Sequence, residues 1–258
     1  MIKAIFFDVD GTLLSFNTHQ IPESTYEALR LLRQKGIKTF VATGRQWIAL
    51  SALDDIPFDG YLTLNGSYCL AGKDQVIYKR LIPQEDVRAF IHYQEKVEAF
   101  PCMFLGEHDM NINFTNEQTF DLFKLLDFQT VPEAPIRHNY DREILQMVAF
   151  FPESKEQEIM RRLPGCENTR WHPAFADIIP AHIDKAIGIE KVGEYFGFTP
   201  EEAMAFGDGG NDMGMIRRAG IGVAMGNANE EVQAVADHVT TTVDDNGVWN
   251  ALRHFGII

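Results

Sequence analysis

The opening residues constrain the fold of this chain more than any other stretch. Residues Ile2–Phe7 are almost wholly apolar, and Asp8, Asp10, Gly11 and Thr12 follow them directly. A short apolar run of this kind is typical of a strand buried on both faces inside a parallel sheet. Ligands of open α/β sheets bind beyond the carboxyl ends of the strands, so two carboxylates lie where chemistry usually takes place. The alternative is an acidic turn without a role, because Asp-Gly pairs are common turn formers.

Strands and helices alternate in the first part of the chain and again near its end. An amphipathic helix begins at Pro22 and ends at Lys35-Gly36, and an apolar strand follows over residues 37–42. A third strand begins at Gly60 and runs into Asn65-Gly66, a turn of the hairpin type. This alternation predicts an α/β fold whose core is a doubly wound, Rossmann-like parallel sheet.

The pattern changes between these two parts, where paired strands lie between helices and prolines are frequent. We therefore expect a core formed by residues 1–81 and 182–258, interrupted by an inserted α+β cap domain at residues 82–181.

Composition excludes several classes of partner. The formal net charge of −14 argues against nucleic acid and anionic membranes, which bind basic surfaces. No apolar run is long enough to span a bilayer, and no signal-peptide pattern is visible. The three cysteines have no metal-ligand spacing, which favours reduced thiols in a cytoplasmic protein. A small anionic substrate stays compatible with this composition, whereas the oligomeric state is open.

Four polar clusters follow predicted strands or begin predicted helices. Two are acidic, at residues 8–12 and 207–212, and the others are Thr43-Gly44 and Lys185. Oxygen ligands without clustered His or Cys favour Mg²⁺ over zinc or copper. A hydroxyl at a helix N-terminus and a lysine can both bind phosphoryl oxygens. Each residue also has an interpretation without a catalytic role: Thr43 as a helix cap, Lys185 as a solvated helix residue, and Asp212 as an acidic residue of a first helical turn.

Taken together, these motifs resemble those of the haloacid dehalogenase superfamily of phosphohydrolases, in the Cof-like branch with an α/β cap. The resemblance covers nearly the whole chain, including the tail at residues 222–228. It implies that Asp8 is the nucleophile and that Asp10 is first general acid and then general base. It implies that Asp8, the backbone carbonyl of Asp10 and Asp208 bind Mg²⁺, and that Asp212 binds metal-bound waters. It further implies that phosphoryl oxygens are bound by Thr43, Gly44, Lys185 and Asn211.

Four further residues are candidates for contact with the substrate. Asn65 either faces the site or only forms its turn, and Arg45 is either a structural charge or a substrate ligand. In the insert, Arg170 and Trp171 combine a cation with an aromatic face, which suits a sugar phosphate, although Trp171 also fits a cap core.

Three functions are compatible with these motifs. The leading hypothesis is a Mg²⁺-dependent phosphomonoesterase that hydrolyses small phosphorylated metabolites, hexose or related sugar phosphates, through an aspartyl-phosphate. A phosphotransferase or mutase would use the same intermediate with a second substrate in place of water. A catalytically silent module that binds a phospho-ligand would be expected to lack some acidic residues, yet all are present.

Overall fold

The computed structural model describes residues 1–125, 131–170 and 172–258, which form two compact units. The first unit contains Met1–Gly44, Ala52–Tyr78 and Asp184–Ile258. The second contains Arg45–Ser51 and Lys79–Ile183. The short segment 45–51 thus belongs to the second unit, although the sequence patterns gave no sign of it.

The described residues contain the following elements. The strands are β1 (Ala4–Phe7), β2 (Lys38–Ala42), β3 (Gly60–Thr63), β4 (Tyr68–Ala71), β5 (Gln75–Lys79), β6 (Cys102–Leu105), β7 (Met110–Ile112), β8 (Gln146–Ala149), β9 (Cys166–Thr169), β10 (Ala176–Pro180), β11 (Ala203–Gly207), β12 (Ile221–Ala224) and β13 (His238–Val239). The α-helices are α1 (Glu23–Gln34), α2 (Gln84–Lys96), α3 (Glu117–Leu125), α4 (Glu156–Met160), α5 (Lys185–Phe196), α6 (Met213–Arg218), α7 (Glu230–Gln233) and α8 (Gly247–His254).

The first unit is built on a sheet with the strand order β13-β12-β11-β1-β2-β3-β4-β5. Strands β13 to β3 are parallel along this order, and β4 pairs antiparallel with β3. From β1 the chain continues to β2 on one side, whereas β11 lies on the other side and is followed by β12. This reversal is a topological switch point, the place where such sheets bind ligands. The predicted doubly wound fold is confirmed.

Apolar side chains explain why these strands pair in the interior. Phe6 of β1 and Phe40 of β2 are completely buried, and their rings stack with centroids 4.8 Å apart. Ile189 and Val192 of α5 pack in the same cluster. Burying one such side chain stabilises a fold by ~1.5–3 kcal/mol, so this cluster fixes the sheet against α5. Helix α1 connects β1 to β2 and buries Ala28, Leu29 and Leu32.

The second unit has a five-stranded sheet of its own, with the order β7-β6-β8-β10-β9. Its strand pairs are antiparallel. One face packs against α2, where Phe90 is completely buried, and against Ile159 of α4. The predicted α+β character of this part of the chain is therefore observed.

Gln46 connects the short segment 45–51 to this second unit. Its side-chain Nε2 donates hydrogen bonds to the carbonyl oxygens of Gly106, at 2.6 Å, and Asp109, at 2.9 Å. Residues 106–109 form the turn between β6 and β7, and Gln46 is only 1% exposed. A buried amide with two short hydrogen bonds fixes this turn onto the segment.

Two composition-based expectations can be compared with the structure. Cys69, Cys102 and Cys166 are all free and buried. Within residues 1–125, 131–170 and 172–258, no helix combines the length and the apolar character needed to cross a bilayer.

Candidate active site

Three carboxylates of the first unit converge at the carboxyl ends of β1 and β11. Asp8 follows β1 directly, Asp208 follows β11, and Asp212 ends the short turn after Asp208. One oxygen from each carboxylate lies within 4.8 Å of the others. The parallel pairing of β1 with β11 produces this convergence, because it brings the two strand ends to the same edge of the sheet.

Lys185 lies between two of these carboxylates. Its Nζ donates to Asp8 Oδ1 and to Asp212 Oδ1, each at 2.6 Å, and the residue is completely buried. Lys185 is the first residue of α5, and Asp184 before it caps the helix by accepting from the Ile187 backbone N–H. The helix therefore begins where the ammonium can reach both carboxylates. The alternative of a solvated lysine is wrong.

The negative charge at this site exceeds what one lysine neutralises. Burial raises the pKa of Asp8 well above its usual value, the charge of Asp212 raises it further, and Lys185 opposes the rise. Burial, followed by the charge of Asp212, raises the pKa of Asp208 to about 7. The nearby carboxylate of Asp10 contributes to the raised pKa of both groups. Burial and neighbouring carboxylates thus both disfavour the charged forms of Asp8 and Asp208, and a divalent cation bound between them would favour those forms.

The donor set fits a hard cation. Carboxylate oxygens are the ligands that Mg²⁺ and Ca²⁺ prefer, and this cluster contains neither sulfur nor imidazole. Among the described residues, this is the only group of three or more His, Cys, Asp or Glu side chains whose ligand atoms lie close enough together to hold one metal ion.

Both carboxylate oxygens of Asp212 accept hydrogen bonds within the site. Its Oδ2 accepts the backbone N–H of Asp208, at 3.0 Å, and that of Gly209, at 2.8 Å. Its Oδ1 accepts from Lys185. Asp212 thereby shapes the turn that presents Asp208 and orients the lysine, so it supports the site more than it offers a free ligand.

Gly11 allows the loop after β1 to approach Asp208. Its φ is +85°, and a Cβ added there would lie 2.2 Å from Asp208 Oδ2. Thr12 Oγ1 donates to Asp208 Oδ1 at 3.1 Å, and Asn227 Nδ2 donates to Oδ2 at 3.1 Å. Both oxygens of Asp208 are thus oriented by neutral donors, which position the carboxylate without cancelling its charge.

Comparisons with known proteins agree with this geometry. The profile of the family described as haloacid dehalogenase-like hydrolase matches residues 5–252. The chain belongs to this family. It is 32% identical over 258 residues to the "Putative phosphatase YkrA" of Bacillus subtilis, covering 99% of this chain and 98% of that protein.

Two solved structures are similar over nearly their whole length. One is the subclass IIB sugar phosphatase BT4131 of the haloacid dehalogenase superfamily, with 44% identity, a TM-score of 0.94, and coverage of 99% of this chain and 100% of that one. The other is the phosphatase BT1666 from Bacteroides thetaiotaomicron, with 40% identity, a TM-score of 0.92, and coverage of 100% and 96%. This haloacid dehalogenase-like hydrolase is thus an enzyme of the phosphatase class with the Cof-like architecture.

The hydrolase places its predicted phosphate-binding residues near the same sheet edge. Thr43 follows β2 and is 1% exposed, and Gly44 follows it. Asn211 lies in the turn after β11, and its Nδ2 donates to Asn65 Oδ1 at 2.9 Å. Asn65 is therefore joined to this group, which the sequence left open. The side chain of Asp10 is half-buried beside the cluster.

The other predicted substrate residues have different surroundings. Arg45 lies in the second unit, where its Nη1 donates to the Ala49 carbonyl oxygen at 3.3 Å. Arg170 pairs with Glu156 at 2.7 Å and donates to the Phe151 carbonyl oxygen at 2.9 Å. These contacts make Arg170 part of the framework of the second unit, and a contact with substrate stays a prediction. Trp171 lies outside the described residues.

Sequence reasoning missed Asn227 as a contributor to the site. Besides Asp208, its Nδ2 contacts the Gly11 carbonyl oxygen at 2.9 Å, and its Oδ1 accepts the Val243 backbone N–H at 3.0 Å. One amide therefore joins three loops. The available signal was an asparagine three residues beyond the end of the apolar strand β12, at the sheet edge where Asp208 follows the parallel strand β11.

Proposed function

We propose that this hydrolase is a Mg²⁺-dependent phosphomonoesterase that acts on small sugar phosphates, hexose phosphates foremost, through an aspartyl-phosphate on Asp8. The observation that carries the proposal is the group of three converging carboxylates with a buried lysine between two of them. The similarity to a sugar phosphatase at 44% identity supports the substrate class.

We assign the two aspartates after β1 the roles that the resemblance to this family implies. A carboxylate oxygen of Asp8 attacks phosphorus, and the bond between phosphorus and the ester oxygen breaks. Asp10 gives its proton to the departing ester oxygen and then takes a proton from the attacking water. That water displaces Asp8 from phosphorus, so inorganic phosphate leaves and the Asp8 carboxylate is restored.

Positive charge must offset the negative charge on the transferred phosphoryl group. Mg²⁺, bound by Asp8, Asp208 and the backbone carbonyl of Asp10, with Asp212 nearby, would supply part of it by polarising the phosphoryl oxygens. Lys185 supplies a second positive charge and at the same time orients Asp8. Thr43, Gly44 and Asn211 complete the set as neutral donors to phosphoryl oxygens.

We also propose that residues 82–181 act as the cap domain, selecting the substrate and excluding water during the reaction. The reaction then takes place on residues of the first unit, whereas substrate specificity is determined by residues 82–181. The substrate is then a small diffusible molecule, with which the net charge of −14 stays compatible because local charge at the site outweighs the sum over the chain.

A screen of phosphorylated metabolites tests the proposal. Turnover of sugar phosphates should require Mg²⁺ and stop with a chelator. Asp8→Asn should lower kcat by at least ~10³-fold, because it removes the attacking oxyanion. Asp74→Asn is the matched control, because Asp74 is exposed in the turn between β4 and β5. Full activity of Asp8→Asn would contradict the assigned nucleophile.

Two outcomes would indicate the other functions. Turnover that depends on an added acceptor alcohol would identify a phosphotransferase, whereas phosphate binding without any turnover would identify a silent module. Rapid quenching followed by mass spectrometry should find one phosphoryl group on the peptide that contains Asp8. A phosphorylated peptide from elsewhere in the chain would exclude the proposed intermediate.

A further inference from the structure

An unusual turn follows β3 at the edge of the active site. Leu64, Asn65 and Gly66 have φ values of +52°, +55° and +92°, so three consecutive residues are left-handed. Bulky residues such as leucine rarely adopt positive φ, and such strain persists only where surrounding structure maintains it. Leu64 and Asn65 are both buried, at 0% and 2% exposure. The turn is thus a strained element in a packed setting.

The turn contacts each of the three segments that carry predicted phosphate-binding residues. The Asn65 backbone N–H donates to the Thr43 carbonyl oxygen at 3.0 Å. The Asn65 side chain accepts from Asn211 Nδ2 at 2.9 Å. Gly66 lies so close to the residue before Lys185 that an added Cβ would be 2.4 Å from the Asp184 carbonyl oxygen. Thr43, Asn211 and Lys185 come from distant parts of the sequence, and this turn touches the segment of each.

We propose that Asn65 is a positioning residue that orients Asn211 toward the phosphoryl group. A primary amide has two N–H donors, and Asn65 Oδ1 accepts one of them. Rotation of the Asn211 amide is thereby restricted, and its second N–H is held in one direction for a phosphoryl oxygen. The positive φ at this position also favours asparagine, because asparagine tolerates the left-handed conformation better than most residues. This inference rests on the proposed function.

The variant Asn65→Gly distinguishes the effect of the Asn65 side chain from the effect of the turn conformation. Glycine adopts positive φ readily, so the backbone is retained while the acceptor for Asn211 is lost. We expect inorganic phosphate to bind the Mg²⁺-loaded variant roughly tenfold more weakly by calorimetry, the usual effect of one hydrogen bond to a charged group. The KM for a sugar phosphate should rise with it.

Asn246→Gly is the matched control. Asn246 also has positive φ, +62°, and its Oδ1 accepts a hydrogen bond from Ser24 Oγ at 2.7 Å. The substitution therefore makes the same backbone change and removes a similar acceptor, before α8. Phosphate affinity should be unchanged. Equal losses of phosphate affinity in both variants would mean that the effect is general loosening of the fold, and would overturn the proposal.

A double-mutant cycle tests whether Asn65 acts through Asn211. In an Asn211→Ala background, Asn65→Gly should weaken phosphate binding by less than about twofold, because the amide that it orients is gone. Full additivity of the two losses would overturn the proposal. Should Asn65→Gly not fold, Asn65→Asp is the second variant: aspartate tolerates positive φ and retains an acceptor for Asn211, so phosphate affinity should fall much less than in Asn211→Ala. Equal losses of phosphate affinity in Asn65→Asp and Asn211→Ala would overturn the proposal.

The same measurements distinguish this inference from the proposed function. If the wild-type enzyme neither binds phosphate nor hydrolyses sugar phosphates, the proposed function is wrong and the role of Asn65 is wrong with it. If the wild-type enzyme does both and a folded Asn65→Gly binds phosphate equally well, only the role of Asn65 is wrong.

Discussion

Replacing Lys185 with methionine tests the electrostatic account of the site most directly. The substitution keeps a similar length and volume but removes the ammonium between Asp8 and Asp212. Both ion pairs measure 2.6 Å, and the lysine side chain has no solvent exposure. Removing one partner from a buried ion pair destabilises a protein by about 3–5 kcal/mol, because the remaining charges stay buried. At about 2–4 °C per kcal/mol for a chain of this size, the Tm should fall by ~6–20 °C.

The pH dependence of this loss identifies its cause. Lys185 lowers the pKa of Asp8 against the larger effects of burial and Asp212. Without the ammonium, that pKa rises further above its value in the unfolded chain. A raised carboxyl pKa contributes stability at low pH that is lost as pH rises through the folded-state value. The stability deficit of Lys185→Met should therefore be large at about pH 7 and smaller near pH 4.

Urea unfolding of metal-free protein at several pH values measures this deficit. Lys191→Met is the control, because Lys191 lies on the same helix and pairs with Glu194 at 2.9 Å near the surface. Its loss should change stability by at most ~1 kcal/mol. Equal stability of the two variants at neutral pH would refute the argument from buried charge. A deficit that does not vary with pH would indicate lost packing instead.

Two further predictions concern Asp208 and its neighbours. Gly11→Ala should weaken Mg²⁺-dependent activity more than Gly36→Ala. Both glycines have positive φ, but only at Gly11 would an added Cβ collide with Asp208. Mg²⁺ titrations of the two variants provide the comparison, and equal effects would exclude a collision with Asp208 as the cause. In the presence of a chelator, wild-type stability should fall as pH rises from about 4 to about 7. The cause is the pKa of Asp208, raised to about 7, which lets the folded state keep a proton that the unfolded chain has lost. One such proton changes the free energy of unfolding by ~1.4 kcal/mol per pH unit. Asp208→Asn should reduce that slope in urea unfolding, and an unaltered slope would mean that other groups produce it.

Much of the first unit could be predicted because its signals are local. The apolar run before Asp8 specifies a buried strand, and the glycine-rich turn before Asp212 follows another. Parallel pairing then requires the two strand ends to meet, so the convergence of Asp8 and Asp208 follows from topology. The start of α5 at Lys185 is equally local, because the capping side chain of Asp184 precedes it.

Other features depend on contacts between residues far apart in the chain. The left-handed Leu64-Asn65-Gly66 turn reads as an ordinary Asn-Gly hairpin turn, since its strain is maintained by distant segments. The start of α4 is a second case: the helix covers only Glu156–Met160, and the residues directly before it, Glu153–Lys155, form a 3₁₀ turn. Arg170 was predicted as a possible substrate ligand, and no local pattern shows that Glu156 and Phe151 engage it.

The hydrogen bonds of Gln46 bear on protein engineering. Exchanging residues 79–183 between family members is the obvious way to make chimeras with altered selectivity. Such a chimera would contain the foreign turn at residues 106–109 without the Gln46 side chain whose amide donates hydrogen bonds to it, because Gln46 lies in the separate segment 45–51. A transplant that includes this segment should keep the hairpin ordered, so recombination sites are best chosen in two places along the gene.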